Sequence, residues 1–130
     1  MPITTLNAYL WVAFGGAIGS VSRFGLGLAM LRLTGPRFPW GTLLINVLGS
    51  FIIGYFGALS TTGGRLSIPE ELKVFVLVGF CGGFTTFSSF SLQTYLLFRS
   101  GDTLLGGLYV IGSVVLCLAV VWLGVILGRP

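Results

Sequence analysis

Residues 79–91 read Gly79-Phe80-Cys81-Gly82-Gly83-Phe84-Thr85-Thr86-Phe87-Ser88-Ser89-Phe90-Ser91, inside an apolar stretch long enough to cross a bilayer. Paired glycines, paired threonines and a run of hydroxyls are not what a plain lipid-spanning helix needs. At bilayer depth an unwound backbone is tolerated only where it is buried in protein or lines a wet cavity. The stretch therefore predicts a transmembrane helix interrupted for a purpose, and interrupted membrane helices are where transporters hold ions.

The surrounding sequence agrees with a membrane setting. Of the 130 residues 55% are hydrophobic and only 8% are charged. Four apolar stretches, at approximately 6–31, 39–59, 72–98 and 104–127, each meet the requirement of about 20 residues for a membrane-crossing helix. The expected fold class is an all-α integral membrane protein, one domain over residues 1–130, with four transmembrane helices of which the third is broken. No basic residue precedes the first apolar run, and the run is too long for a signal peptide, so it is expected to remain as a span. Cys81 and Cys117 both fall within spans and suggest small packing residues rather than a disulfide or a zinc site.

The formal charge of +4 is scattered over short loops and leaves no nucleic-acid footprint. With four spans, Arg65, Lys73 and Arg129 lie on one side of the membrane and Arg32, Arg37 and Arg99 on the other, while Arg23 is set aside as intramembrane. This balance gives the positive-inside rule nothing to orient. Either the chain inserts both ways up and pairs as an antiparallel dimer, or lipids and assembly factors impose one orientation.

The connections are chemically legible. Gly35-Pro36 and Pro39 stop the first helix and start the second. The second connection passes through Thr61-Thr62-Gly63-Gly64-Arg65 into Ser67-Ile68-Pro69-Glu70, a capping-box pattern that would set Glu70 and Glu71 at the positive end of the third helix. Ser100-Gly101-Asp102 forms the third turn. Gly15 and Gly19, Gly79 and Gly83, and Gly124 and Gly128 are small-xxx-small pairs, whose plainest use is close helix packing.

No Asp, Glu or His lies deep in any span, which disfavours proton-coupled export and membrane acid–base catalysis alike. What the spans do carry is neutral hydrogen-bonding capacity. Thr42, Asn46 and Ser50 share one helical face, as do Tyr109, Ser113 and Cys117, and the third span adds Thr85, Thr86, Ser88, Ser89, Ser91, Gln93 and Thr94. One such stripe is ordinary interhelical glue; three suggest a lined path. Hydroxyl and amide donors replace the hydration of an anion, and carbonyl oxygens that of a cation. Asn46 is the leading donor, Phe87 and Phe90 are placed to turn positive ring edges towards an anion, and Arg23 suits a vestibule or structural role.

With these residues in place the chain resembles the CrcB-type (Fluc) fluoride channels of bacteria. The resemblance covers essentially the whole length: Gly19 to Arg23, Trp40-Gly41-Thr42-Leu43-Leu44-Ile45-Asn46-Val47-Leu48-Gly49, and above all Gly-Gly-Phe-Thr-Thr-Phe-Ser-Ser-Phe-Ser beginning at Gly82. It implies an antiparallel, dual-topology homodimer with two fluoride pathways and a structural sodium ion at the central two-fold axis, held by the backbone carbonyls of Gly82 and Thr85 from both subunits. It further implies that Phe87, Phe90 and Asn46 line the pore, with Ser88, Ser89 and Thr42 along a polar track and Tyr109 and Ser113 facing it. The sequence departs from the pattern at Gln93, where many relatives have Glu, and at Cys117, where a hydroxyl residue can occur.

The expected function is passive export of fluoride across the bacterial inner membrane, with no chemical reaction and with lipid and a second copy of the chain as partners. A small multidrug exporter is the rival transporter, but it would need a carboxylate in the first span. A non-transporting scaffold is the other rival, and it leaves the hydroxyl stripes without a use.

Overall fold

The computed structural model describes residues 2–61 and 63–130; Thr62, in the second connection, lies outside the described residues. Four helices are long and apolar enough to cross a membrane, Thr5–Thr34, Trp40–Leu59, Glu70–Arg99 and Thr103–Gly128, and the described residues contain no strand. The chain is thus an all-α, multi-pass membrane protein. We label the helices α1 (Thr5–Thr34), α2 (Trp40–Leu59), α3 (Glu70–Lys73), α4 (Cys81–Phe84), α5 (Phe87–Arg99) and α6 (Thr103–Gly128), with a π-helical segment, Val74–Phe80, joining α3 to α4. The interruption in the third span falls between α4 and α5, at Thr85 and Thr86, which both have extended backbone.

Helix ends follow local chemistry. Gly35 closes α1 at φ 77°, a conformation open to glycine, with its N–H on the Leu31 carbonyl. At the end of α5, Asp102 N–H reaches Leu97 O and Gly101 N–H reaches Phe98 O, a Schellman ending around Gly101 at φ 88°. The capping box expected at Ser67 does not form. Pro69 is the capping residue and no side chain caps the helix. Proline disfavours helical backbone at the residue before it, Ile68, so the helix begins at Glu70 and leaves Ser67 outside it. Glu70 and Glu71 still occupy the first turn.

Glycines bring the helices into backbone contact along two seams. On the first, α1 meets the opening half of the third span. A Cβ on Gly15 or Gly19 would collide with the carbonyl of Phe75 or Phe80, and one on Gly83 would stand 2.5 Å from the Gly16 carbonyl. On the second seam α2 meets α6: a Cβ on Gly124 would lie 2.6 Å from Phe51 O, on Gly128 2.5 Å from Tyr55 O, and on Gly54 2.5 Å from Val121 O. Without a hydrophobic drive between helices in lipid, close van der Waals contact of this kind is what holds them together. The π-helical segment belongs to the first seam, since a Cβ on its Gly79 would stand 2.9 Å from Val12 O, and Gly83, four residues on, faces α1 as well. Outward faces of α1 and α6, such as Leu6, Phe24, Leu104 and Trp122, are exposed and apolar, as lipid contact requires.

Candidate functional site

The interruption is held open by side chains that capture the donors a continuous helix would use. Uninterrupted, Thr86 N–H would bond to Gly82 O and Ser89 N–H to Thr85 O. Instead Thr86 N–H donates to Asn46 Oδ1 at 2.8 Å, and Ser89 N–H donates to Thr86 Oγ1 at 3.1 Å. The Asn46 Nδ2 completes a two-bond clamp by donating to Thr86 O at 3.1 Å. Consequently the carbonyls of Gly82 and Thr85 accept no backbone or side-chain hydrogen bond from the described residues outside their own helices. Of the two carbonyls between them along the chain, that of Gly83 takes the Nε–H of Arg23 at 3.0 Å. The Thr85 side chain folds back, its hydroxyl donating to Cys81 O at 2.7 Å while its methyl fills the space left by Gly49.

Two cavities flank this clamp and share Thr86. The wider one, about 780 Å³, forms a vestibule lined by Arg23, Thr42, Ser89 and Gln93 together with Phe38 and Trp40. The other is a groove of about 440 Å³ lined by Asn46, Ser50, Cys81, Gly82, Thr85, Phe87, Phe90, Ser113 and Cys117. The expected polar path is therefore distributed over both. Ser113 Oγ is buried and has no hydrogen-bond partner among the described residues. Such a hydroxyl is costly to bury bare, so a species entering the groove would gain by pairing with it. Asn46 Nδ2 carries a second hydrogen as well, and no group of the described residues takes it.

Aromatic rings border the path. Phe87 and Phe90 lie with ring centroids 5.5 Å apart, and Phe90 is 5.1 Å from Tyr109. Tyr109 is fully buried, its hydroxyl donating to Gln93 Oε1 at 2.8 Å. That bond turns the Gln93 amide so that its N–H groups are free for the vestibule. Phe38 stands on the other side of Tyr109, centroids 5.4 Å apart and planes at 80°, and itself contacts Trp40 at 4.7 Å. Sequence reasoning passed over Phe38 because it belongs to a connection and to no helical stripe.

Ser88 is exposed in the single chain, as is Phe87 at 78%. Cys81 and Cys117 are both free thiols on the groove wall, Cys81 buried. Among the described residues no three His, Cys, Asp or Glu side chains converge as a metal site. The bare Gly82 and Thr85 carbonyls are hard oxygen ligands of the kind a small alkali ion takes.

A groove with polar donors and no carboxylate, at a clamped helix interruption, is the context in which the sequence matches acquire meaning. The family model described as "CrcB-like protein, Camphor Resistance (CrcB)" matches residues 10–125. This chain belongs to the CrcB family. Among its relatives, a protein of Opitutus terrae named fluoride-specific ion channel FluC is 53% identical over 119 residues, covering 92% of this chain and 90% of its own. Proteins of the same name from Methylocella silvestris and Paramagnetospirillum magneticum are 52% and 53% identical, each over 116 residues and 89% of this chain, covering 88% and 91% of their own. In this CrcB chain the clamped interruption, the ring pair and the unpartnered serine all fall within the matched residues.

Proposed function

We propose that the protein is a fluoride-selective channel that lets cytoplasmic fluoride leave passively across the inner membrane of a bacterium. The observation that carries this reading is the likeness, above half identity over about nine-tenths of the chain, to relatives named as fluoride-specific channels. The geometry supports it independently. The groove offers neutral donors and no carboxylate to carry protons across, and in the vestibule Arg23 and Arg37 outweigh the one carboxylate, Asp102, which suits an anion.

The residues divide the task. Arg23, held by the Gly83 carbonyl, raises the local anion concentration in the vestibule, where Thr42, Ser89 and the freed Gln93 N–H groups begin to replace the hydration shell. Past Thr86, the second Asn46 hydrogen, the Ser113 hydroxyl and the edges of Phe87 and Phe90 take over. Ring edges and single donors bind weakly enough for the ion to move on. Fluoride enters acidified surroundings as neutral HF and dissociates inside, so a selective leak driven by an inside-negative potential removes it.

Two copies in antiparallel, dual-topology arrangement complete this reading. The balanced basic loops, the exposed Gly82 and the exposed ring of Phe87 support it. A sodium ion would be held by the Gly82 and Thr85 carbonyls of both chains and would supply a fixed structural charge at the axis. Lipid surrounds the remaining apolar faces.

Purified protein in fluoride-loaded liposomes tests the function. Fast efflux that generates a voltage and leaves chloride behind is expected; proton-coupled flux, or none, refutes a channel. Cross-linking between surface cysteines tests the arrangement, and exclusively parallel products would refute it.

A further inference from the structure

We propose that Phe38 is a positioning residue for the pathway: it fixes the ring of Tyr109, and through Tyr109 the ring of Phe90. This rests on the channel reading above for its functional consequence but on geometry for its content.

The backbone delivers Phe38 to one place. Pro39 has φ −79° and ψ 63°, and Trp40 N–H donates to Phe38 O at 2.8 Å, which together make an inverse γ-turn centred on a residue whose φ is locked by its own ring. A residue before proline is restricted to extended backbone as well. Phe38 therefore enters the vestibule wall on a stiff connection, and Trp40 buttresses it at 4.7 Å.

The rings then form a continuous series, Trp40, Phe38, Tyr109, Phe90 and Phe87, with no adjacent centroids more than 5.5 Å apart. Tyr109 is held at its tip by Gln93, which leaves rocking of the ring as its remaining freedom. Phe38 meets it edge to face at 80° and Phe90 meets it on another side, so Phe38 removes that freedom and Phe90 inherits a defined neighbour. A ring pair that must present its edges to an ion needs orientation as well as volume. Phe38 supplies the orientation from the mouth of the vestibule without lying in the groove itself.

The test compares Phe38→Leu, which keeps most of the volume but removes the ring, with Phe38→Tyr, which keeps the ring. Since an aromatic pair contributes about 0.5–1.5 kcal/mol beyond its buried area, Phe38→Leu should slow fluoride efflux by about two- to tenfold. Phe38→Tyr should remain near the unmodified rate. In a Phe90→Leu background Phe38→Leu should cause no further loss; independent, multiplicative effects would overturn the proposal. If the leucine variant fails to fold, Phe38→Met takes its place. A solved structure of the variant gives a readout that general destabilisation would not move: Tyr109 and Phe90 rings are expected in new orientations, and unchanged rings overturn the proposal whatever the flux. Should the unmodified protein carry no fluoride, the channel reading fails and the ring positions alone decide this one.

Discussion

The two halves of the third span are built on opposite terms. Before the interruption, the π-helical segment and α4 are pressed against α1, backbone to backbone where Gly15, Gly19, Gly79 and Gly83 meet their neighbours. After it, α5 carries hydroxyls and an amide, and Phe87, Ser88 and Ser91 stand exposed on it. The first half is fixed by glycine contacts that allow no side chain, with Trp11 on Phe75 beside them; the second is defined by side chains that reach out. The difference teaches that a polar, weakly packed segment can be held in place at bilayer depth when the segment preceding it is immobilised.

The neighbours Gly82 and Gly83 give the sharpest way to break that contrast. Gly83→Ala drives a methyl into the Gly16 backbone, which has no rotamer by which to yield, and should cost about 3 kcal/mol or more. Gly82→Ala meets nothing within 4 Å in the chain and should leave monomer stability within about 0.5 kcal/mol of the parent. Thermal melts in detergent decide between them, and equal losses would erase the distinction between the halves.

Next in size is Asn46→Leu, which strips both partners from Thr86 at once and should cost about 2–3 kcal/mol. Asn46→Asp, which keeps only the acceptor, should fall between. If the leucine variant melted like the parent, the clamp would not be what holds the interruption open. Tyr109→Phe should cost about 1 kcal/mol by breaking the bond to Gln93 while keeping the ring. The smallest stability change is expected for Ser113→Ala, within about 0.5 kcal/mol or slightly stabilising, because its hydroxyl has no partner to lose. Fluoride efflux should nevertheless fall in that variant; a parallel fall in stability and flux would make Ser113 a packing residue.

Much of this was legible in the residues. Hydropathy alone delimits four spans, and Gly82-Gly83 with Thr85-Thr86 marks the interruption to within a residue or two, because glycine and extended threonine are both poor at continuing a helix. The glycine pairs found their partners across two seams. What could not be read was which donor goes where. A stripe containing Thr42, Asn46 and Ser50 looks uniform on a helical wheel, yet the vestibule takes Thr42, the groove takes Ser50, and Asn46 spends one amide hydrogen and its oxygen on Thr86, forty residues away. Such long-range pairing has no periodicity to reveal it. Phe38 escaped for a related reason, since Phe-Pro-Trp reads as a linker until the rings are placed. The capping box at Ser67 failed because a four-residue motif was weighed without the proline inside it.

The π-helical segment Val74–Phe80 carries one consequence beyond its place in the seam. A helix advances about 100° per residue, so the extra residue here acts as a phase adjuster between α3, with its exposed Glu70–Lys73 ion pair, and the glycines that dock on α1. Gaining or losing a single residue within it would swing α3 and the loop before it around the axis while Gly79, Gly83 and the interruption kept their mutual spacing. Chain length in this short segment is thereby a dial for the bearing of one end of the bundle, separable from the interruption it adjoins.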